Sequence, residues 1–523
     1  MKAERLRRFI GLHASVGMVC GLLLFVAFFA GAINVFHHEL HHWQSLPSHT
    51  AEPRNPDRFL EQLTTRFPQA AKRLYFQPGA DPAAMWLQDG EWQTARASSF
   101  SDEGVFRAQP VSELADFINE LHYQLAIPGG KGGLNIGMTL MGLVAVLYGV
   151  ALFSGLVIHW PKLGREWLAL RHQGNLRRYW KNLHNVIGVI SFPFHLIMAI
   201  TGAAMGLFAV MALLLGALVF GPQLQGVIST ETDVWPAMES SGEPVAMALM
   251  EDYLSAASHE VPGVQVAWVE VRGYGDSQGW LDVAGSVPGH LGHHVHVVLD
   301  PTLKTLRVIS PGQRDLNDAS LSSVYALHFG DYGGVPVKLM YFLLGLLGCL
   351  LFVSGNVLWC ERRSDRTGPS RASAFLLRLT LGVSVGVVSG VAVSFWVSKV
   401  GLHSPLDEWV PLLERLAFWV VLVPVIGWSL RASPLRFCGQ GVRIMPWLYL
   451  LIPMLSVALE GRRAWQEGDV LLVNLLMLGL AVILWILRAH FRRRVRLAEP
   501  HPLWVGRLSD EHPIHLADAE LDS

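Results

Sequence analysis

Eight stretches of the chain are apolar over about the 20 residues that a bilayer-spanning helix needs. They cover residues 14–36, 134–158, 185–219, 335–359, 379–397, 409–430, 444–459 and 469–488. The seventh is short. The third is long, and Pro193 within it predicts a kink or a projection beyond the bilayer. Two polar intervals break the series, and in each the apolar period changes. Residues 55–67 predict a helix followed by the strand-like runs RLYFQP, MWLQ and GVFRAQ. Residues 243–257 predict a second helix, followed by QVAWVEV, GWLDVAG, HHVHVVLD and LKTLRVIS. Alternating runs beside one short helix suit a small α+β module outside the membrane.

The fold class expected is therefore a mainly α polytopic membrane protein of about eight transmembrane helices with two small extramembrane modules. The expected divisions are a first helix in 1–42, module 1 in 43–132 and a second helix in 133–160. A loop and third helix follow in 161–220, module 2 in 221–333 and a fourth helix in 334–363. Four additional helices occupy 364–498 and a tail 499–523.

Composition agrees: 51% of residues are hydrophobic and only 16% charged, where a soluble protein carries about a quarter charged. A net charge of −1 argues against nucleic acid as a partner. None of the four cysteines shows metal-ligand spacing, so neither a disulfide framework nor a zinc or iron–sulfur centre is expected. Short basic loops set the orientation. Lys2, Arg5, Arg7 and Arg8, the 162–181 loop, Arg362–Arg378, Arg431–Arg443 and Arg492–Arg496 all fall on one side if both termini are cytoplasmic. Arg462 and Arg463 are the exception, offset in part by Glu460 and Glu467. The basic start and Ala30-Gly31-Ala32 resemble a signal peptide. The run is long enough to span, however, and it has an internal copy, so it is expected to stay.

That copy is part of a duplication. Leu12-His13 opens the first stretch and Gly31-Ala32 closes it; Leu183-His184 and Gly202-Ala203 do the same in the third. The histidine and the closing glycine are 18 positions apart in both. LHYQLAIPGG, from Leu121, precedes the second stretch and LHFGDYGG, from Leu327, precedes the fourth. Ser154-Gly155 and Ser354-Gly355 then match within them. Repeats whose equivalent helices run in the same direction are related by an axis along the membrane normal. This gives a four-helix bundle with equivalent histidines facing one another.

The Leu-His-x3-Gly opening, the Leu-His-x5-Pro-Gly element and their repetition around small extramembrane segments resemble the PepSY-associated transmembrane family, over residues 1 to about 363. The resemblance implies PepSY-type periplasmic modules, an inner-membrane location and iron uptake. Some members of that family are haem-containing reductases of ferric siderophores. It also implies two b-type haems, held by histidines at the repeat positions. The four extra C-terminal helices and His195 depart from a minimal four-helix member.

Bis-imidazole ligation suits haem iron used for electron transfer, and bundles supply such ligands from facing helices. His13 and His184 form the expected inner pair, and His122 and His328 the expected outer pair. His195 follows His184 by 11 residues, about 16 Å on a continuous helix, so it is an alternative member of the outer pair. An ionisable residue in mid-membrane is itself a candidate functional group. His159 reads as an interface residue, and His37, His38, His41 and His42 as a solvated flank, with a metal site as the alternative. His290, His293, His294 and His296 include a strand-like alternation in which His294 and His296 share a face, so a transient iron or copper site there is a further alternative. Arg7, Arg8, Arg177 and Arg178 suit haem propionates, although positive-inside topology already explains them.

The expected function is transfer of electrons from a cytoplasmic reductant or membrane quinol to a periplasmic ferric siderophore, in a haem-dependent reductase that needs no other catalytic residue. No nicotinamide or flavin fingerprint is present. The rival readings are a non-redox transporter or permease component, in which His195 relays protons, and a protein whose PepSY-like modules bind a partner.

Overall fold

The computed structural model describes residues 3–45, 54–101, 104–106, 112–128, 135–160, 176–221, 240–313, 316–363, 370–497 and 502–505. Most of the 161–181 basic loop and most of the tail lie outside them. The chain forms two compact units: Met1–Leu46 with Pro110–Met211 and Leu339–Ser523, and Pro47–Gln109 with Ala212–Lys338.

The first unit is helical. Among the described residues seven helices are long and apolar enough to cross a membrane, and a bent pair brings the number to eight where its two halves count as one span. The protein is therefore a multi-pass membrane protein. The first four spans are Ala3–Asn34, Ile136–His159, the pair Leu176–Ile190 and Phe192–Gly206, and Gly334–Arg362. The last four are Arg371–Leu402, Val410–Arg431, Pro434–Glu460 and Gly468–Leu497. The seventh is thus 27 residues long, well beyond the 444–459 expected. Its interior Pro446 and Pro453 are tolerated because neighbouring helices compensate the lost bonds.

The third span is broken more sharply than a kink. Its halves meet at 69°. Pro193 has no N–H to offer Val189, so the ladder stops there. Ser191 instead directs both its N–H and its hydroxyl to the Ile187 carbonyl, at 3.0 and 2.6 Å. The second half packs against the second span where Gly142 and Gly206 meet, and a Cβ at either would come within 2.7 Å of the other's backbone. Small residues of this kind allow helices to approach closely where burial of apolar surface gives no drive.

The four added spans are fixed to the first four by buried polar contacts near the end of the first span. Glu414 accepts from the Ser112 hydroxyl and the Glu113 N–H. Arg415 reaches Glu113 and Glu120, and the Trp43 indole donates to Asn474 at 2.9 Å. Lys399 donates to the Trp43 carbonyl and, at 2.6 Å, to Glu460, which Arg463 also contacts at 2.9 Å.

The second unit is one seven-stranded antiparallel sheet, in the order β3-β2-β1-β4-β5-β6-β7. The strands are β1 Arg73–Gln77, β2 Ala83–Gln88, β3 Glu91–Arg96, β4 Gln265–Arg272, β5 Trp280–Ser286, β6 His294–Leu299 and β7 Thr305–Ile309. Pairing of Arg73–Phe76 with Val269–Arg272 joins the two soluble segments, so the two separate modules expected are one. Leu74, Phe76, Val269, Val271, Val283, Val295 and Val297 form its core with residues of the helices Pro56–Arg66 and Met250–Glu260. The later helix begins at Met250 rather than 243, where the Met250 N–H is capped by the Asp57 carboxylate at 2.8 Å. Of GVFRAQ only Gly104–Phe106 are described, and there Phe106 forms a single bridge to Phe100. β3 folds back on β2 through Asp89 and Gly90, at φ of 52° and 84°, the left-handed pair that a two-residue hairpin demands.

Lys399 and Glu460 side chains are each 1% exposed. Removing one partner of a buried ion pair leaves an uncompensated charge, at about 3–5 kcal/mol. Glu460→Gln, which leaves the buried Lys399 without its carboxylate, is expected to lower the unfolding temperature in detergent sharply. Unchanged melting would refute the role given to this ion pair.

Candidate functional site

The repeated histidines of the first unit occupy equivalent seats. Each points its Nδ1 at a backbone carbonyl of a neighbouring helix, four residues before a glycine. His13 Nδ1 donates to Ala151 O at 2.8 Å, and a Cβ on Gly155 would lie 3.1 Å from its ring. His184 Nδ1 donates to Leu351 O at 3.1 Å, and a Cβ on Gly355 would again lie 3.1 Å away. Ser154 and Ser354 donate to the same two carbonyls, both at 2.9 Å. The Ser-Gly pairs noted in the sequence are therefore the floors of the histidine seats.

His122 repeats the arrangement against the first span. Its Nδ1 donates to Ala27 O at 2.8 Å, and a Cβ on Gly31 would come within 2.6 Å of it. In all three residues the proton is on Nδ1, because a carbonyl only accepts. For His13 and His184 this leaves the Nε2 lone pair for a ligand.

The structure brings His13 and His184 together, with ring centres 6.1 Å apart and planes at 72°. Two bonds of about 2 Å from one iron to imidazole nitrogens would place the ring centres about 6 Å apart. The pair fits bis-imidazole ligation. His195 is fully buried, and neither ring nitrogen has a hydrogen-bond partner. Phe28, Tyr148, Phe194 and Phe352 surround it, and the Tyr148 hydroxyl is also unpartnered. Orphaned polar atoms at the centre of a bundle fit a missing polar or metal-bearing group.

His195 is nearer the His184 level than a continuous helix would allow. Its ring lies against Gly348, seven residues from Gly355, about 10 Å along the fourth span. The break at Ser191 accounts for the difference from the 16 Å expected. One turn further on, Gly345 meets Ala32, the neighbour of Gly31. His122 and His195 thus lie within about one turn of a common level. His328, half-buried in the last turn of Leu316–Phe329, belongs to the other unit.

Of the proposed propionate partners, Arg8 is exposed and paired with Glu4 at 2.6 Å. The side chains of Arg177 and Arg178 lie outside the described residues.

The His37–Gln44 helix carries two His-x3-His pairs, each facing an aspartate of another helix: His37 and His41 with Asp116, His38 and His42 with Asp469. The aspartates, separated from the cluster by long stretches of chain, were not foreseen. His41 and His37 Nε2 are 3.2 Å apart, and Gln44 donates to His41 Nδ1 at 3.1 Å. The same amide is held by the Ser112 carbonyl and the Ala115 N–H. Its orientation fixes the proton of neutral His41 on Nε2, toward His37, whose own Nδ1 is buried without a hydrogen-bond partner. His42 Nδ1 is 2.5 Å from Asp469.

These features define a class: a multi-pass membrane protein with a repeated, histidine-bearing set of helices and an antiparallel sheet whose strands are inserted between them in sequence. The chain belongs to the family described as the PepSY-associated TM region, which matches residues 10–362. It is also 29% identical over 271 residues to the uncharacterized protein PA4219 of Pseudomonas aeruginosa. That match covers 49% of this chain and 66% of the relative, just under two thirds of its length.

Two outcomes follow. Gly31→Ala drives a methyl into His122 and should destabilise the protein by about 1–3 kcal/mol in a detergent melt; an unchanged melt would show that the seat is loose. His37 is pulled down to about 4, chiefly by burial and then by His41. A histidine with a depressed folded-state pKa adds stability that is full above its unfolded value of 6.5 and is lost as pH falls through about 4. Unfolding temperature should drop across that window, and less so in His37→Asn; equal slopes would remove His37 as the cause.

Proposed function

We propose that this protein is a transmembrane electron carrier that holds two b-type haems and reduces ferric siderophores. Haem would supply one-electron oxidation and reduction in two steps across the hydrocarbon layer. The observation that carries the reading is the His13–His184 pair, whose 6.1 Å separation and Nδ1-anchored rings leave two Nε2 lone pairs for one iron.

The chain's own residues do the positioning. Carbonyls of Ala151 and Leu351 fix the tautomer and orientation of the inner pair, as a hydrogen bond on the far nitrogen does for metal-bound histidine generally. His195 and His122 are the residues that would hold the second haem. Phe28, Phe194 and Phe352 keep water from His195, which favours the neutral imidazole that an iron requires. In this reading the bundle lies in the inner membrane with both termini cytoplasmic, the orientation supported by the basic loops. The soluble sheet then faces the periplasm as a PepSY-type module. Electrons come from a cytoplasmic reductant or membrane quinol. Fe(II) is held far less well by a siderophore than Fe(III), so reduction frees the metal without breaking the chelator.

The test is a dithionite-reduced minus oxidised spectrum of the purified protein with haem counted as pyridine haemochrome. About two b-type haems per chain are expected. His13→Ala, His184→Ala and Gly355→Leu, which fills the His184 seat, should each lose about one haem and most ferric chelate reduction. Full haem content in both histidine variants would remove the ligand assignment, and a haem-free wild type from haem-replete cells would remove the reading.

A further inference from the structure

The soluble unit carries a second constellation that the electron-transfer reading does not use. His293 precedes β6 and His294 opens it, and their ring centres lie 4.3 Å apart with the planes tilted by 33°. Asp331 follows the Leu316–Phe329 helix. Its Oδ2 is 3.5 Å from His293 Nε2, and one ligand atom from each of the three residues lies within 4.8 Å of the others.

The surroundings prepare these groups. Gly292 lies against Ser322 of the Leu316–Phe329 helix, where a Cβ would stand 3.3 Å from its hydroxyl. This contact brings the start of β6 to that helix. Gly330, at φ of 66°, ends the helix with its N–H on Ala326 O at 2.9 Å and turns the chain so that Asp331 faces the histidines. His293 is 4% exposed, and its Nδ1 approaches the Leu291 carbonyl at 3.4 Å, leaving Nε2 toward Asp331. Oδ1 of Asp331 is buried and has no hydrogen-bond partner.

A carboxylate and an imidazolium in direct contact close to about 2.7–2.9 Å. The separation here is wider and matches the edge of about 3.4 Å between two ligands on a tetrahedral ion with bonds of about 2.1 Å. His296 is not one of the three residues whose ligand atoms converge, and its Nδ1 is on Asp282 at 3.0 Å. Of the four histidines singled out in the sequence, the structure brings together His293 and His294 rather than the face-sharing His294 and His296.

We infer that His293, His294 and Asp331 bind one divalent first-row transition ion. Two imidazoles and a carboxylate with open positions are a borderline donor set, suited to iron(II), cobalt(II) or zinc(II) and unsuited to calcium or magnesium. The Asp331 side chain is 33% exposed, which gives the ion a way in. The inference stands independently of the haem reading.

The test uses the full chain in detergent, stripped with chelator and equilibrated by dialysis against Zn2+, with bound metal counted by mass spectrometry and haem counted in the same samples. Asp331→Asn, close to isosteric, and His294→Gln, on a partly exposed residue, should each weaken one equivalent of Zn2+ by at least about tenfold. The pair His37→Gln/His41→Gln should leave that equivalent in place. Zn2+ binding unchanged in Asp331→Asn and His294→Gln, or lost only in the His37/His41 variant, would overturn the inference. A protein that binds this Zn2+ but lacks haem would uphold it while the electron-transfer reading fell.

Discussion

An imidazole inside a membrane bundle has to satisfy one ring nitrogen while the other is kept for use. Here a neighbouring carbonyl meets that need, and the space is made by a missing side chain. His13 over Gly155, His184 over Gly355 and His122 over Gly31 share one geometry, with the accepting carbonyl four residues before the glycine. A helix carbonyl already serves its own ladder and has a second lone pair to offer. Ser154 and Ser354 bond the same carbonyls as the histidines. The close packing of the bundle depends on these contacts as much as on its apolar faces.

His195 departs from that rule and is informative for it. It too lies on a glycine, Gly348, yet neither of its nitrogens has a partner. The break at Ser191 carries the residue into an aromatic enclosure where no carbonyl is within reach. Burying an unsatisfied polar group is costly, of order 1–3 kcal/mol, so a chain that keeps a histidine there gains something else from it. In the proposed haem reading, a bond to the iron would occupy one of these two nitrogens.

Much of this was legible in the sequence. Span number followed from apolar length, and the seats were marked by the repeat of Leu-His, Ser-Gly and Gly-Ala. What the repeat did not convey was why Ser-Gly recurs, because the histidine it receives is far away in the chain: position 13 for Gly155, 184 for Gly355. The soluble segments were read correctly strand by strand wherever residues alternate, as in RLYFQ and HVHVVL. Their union was invisible, because pairing of residues 73–76 with 269–272 is decided by chain topology rather than local pattern. Asp89-Gly90 was a hairpin signal overlooked beside the more apolar GVFRAQ. The extent of the seventh span was masked by its polar first turns, where Arg436, Gln440 and Arg443 dilute the apolar run.

The added four helices bear on how the bundle is held. Their ties to the first four gather on the ends of the first span and the 114–124 helix: Glu414 on Ser112 and Glu113, Arg415 on Glu120, Asn474 on Trp43, Lys399 on the Trp43 carbonyl. One helix so fixed carries His122, and the other, His37–Gln44, follows directly on the span that carries His13 and the Gly31 seat. Polar contacts are directional, and in a low-dielectric setting they resist sliding more than apolar packing does. An imidazole that must stay within a few tenths of an ångström of its carbonyl and its glycine needs a neighbour that does not slide. On this argument the four extra spans act as a brace for the histidine levels, and the charged residues buried in them are structural before they are anything else.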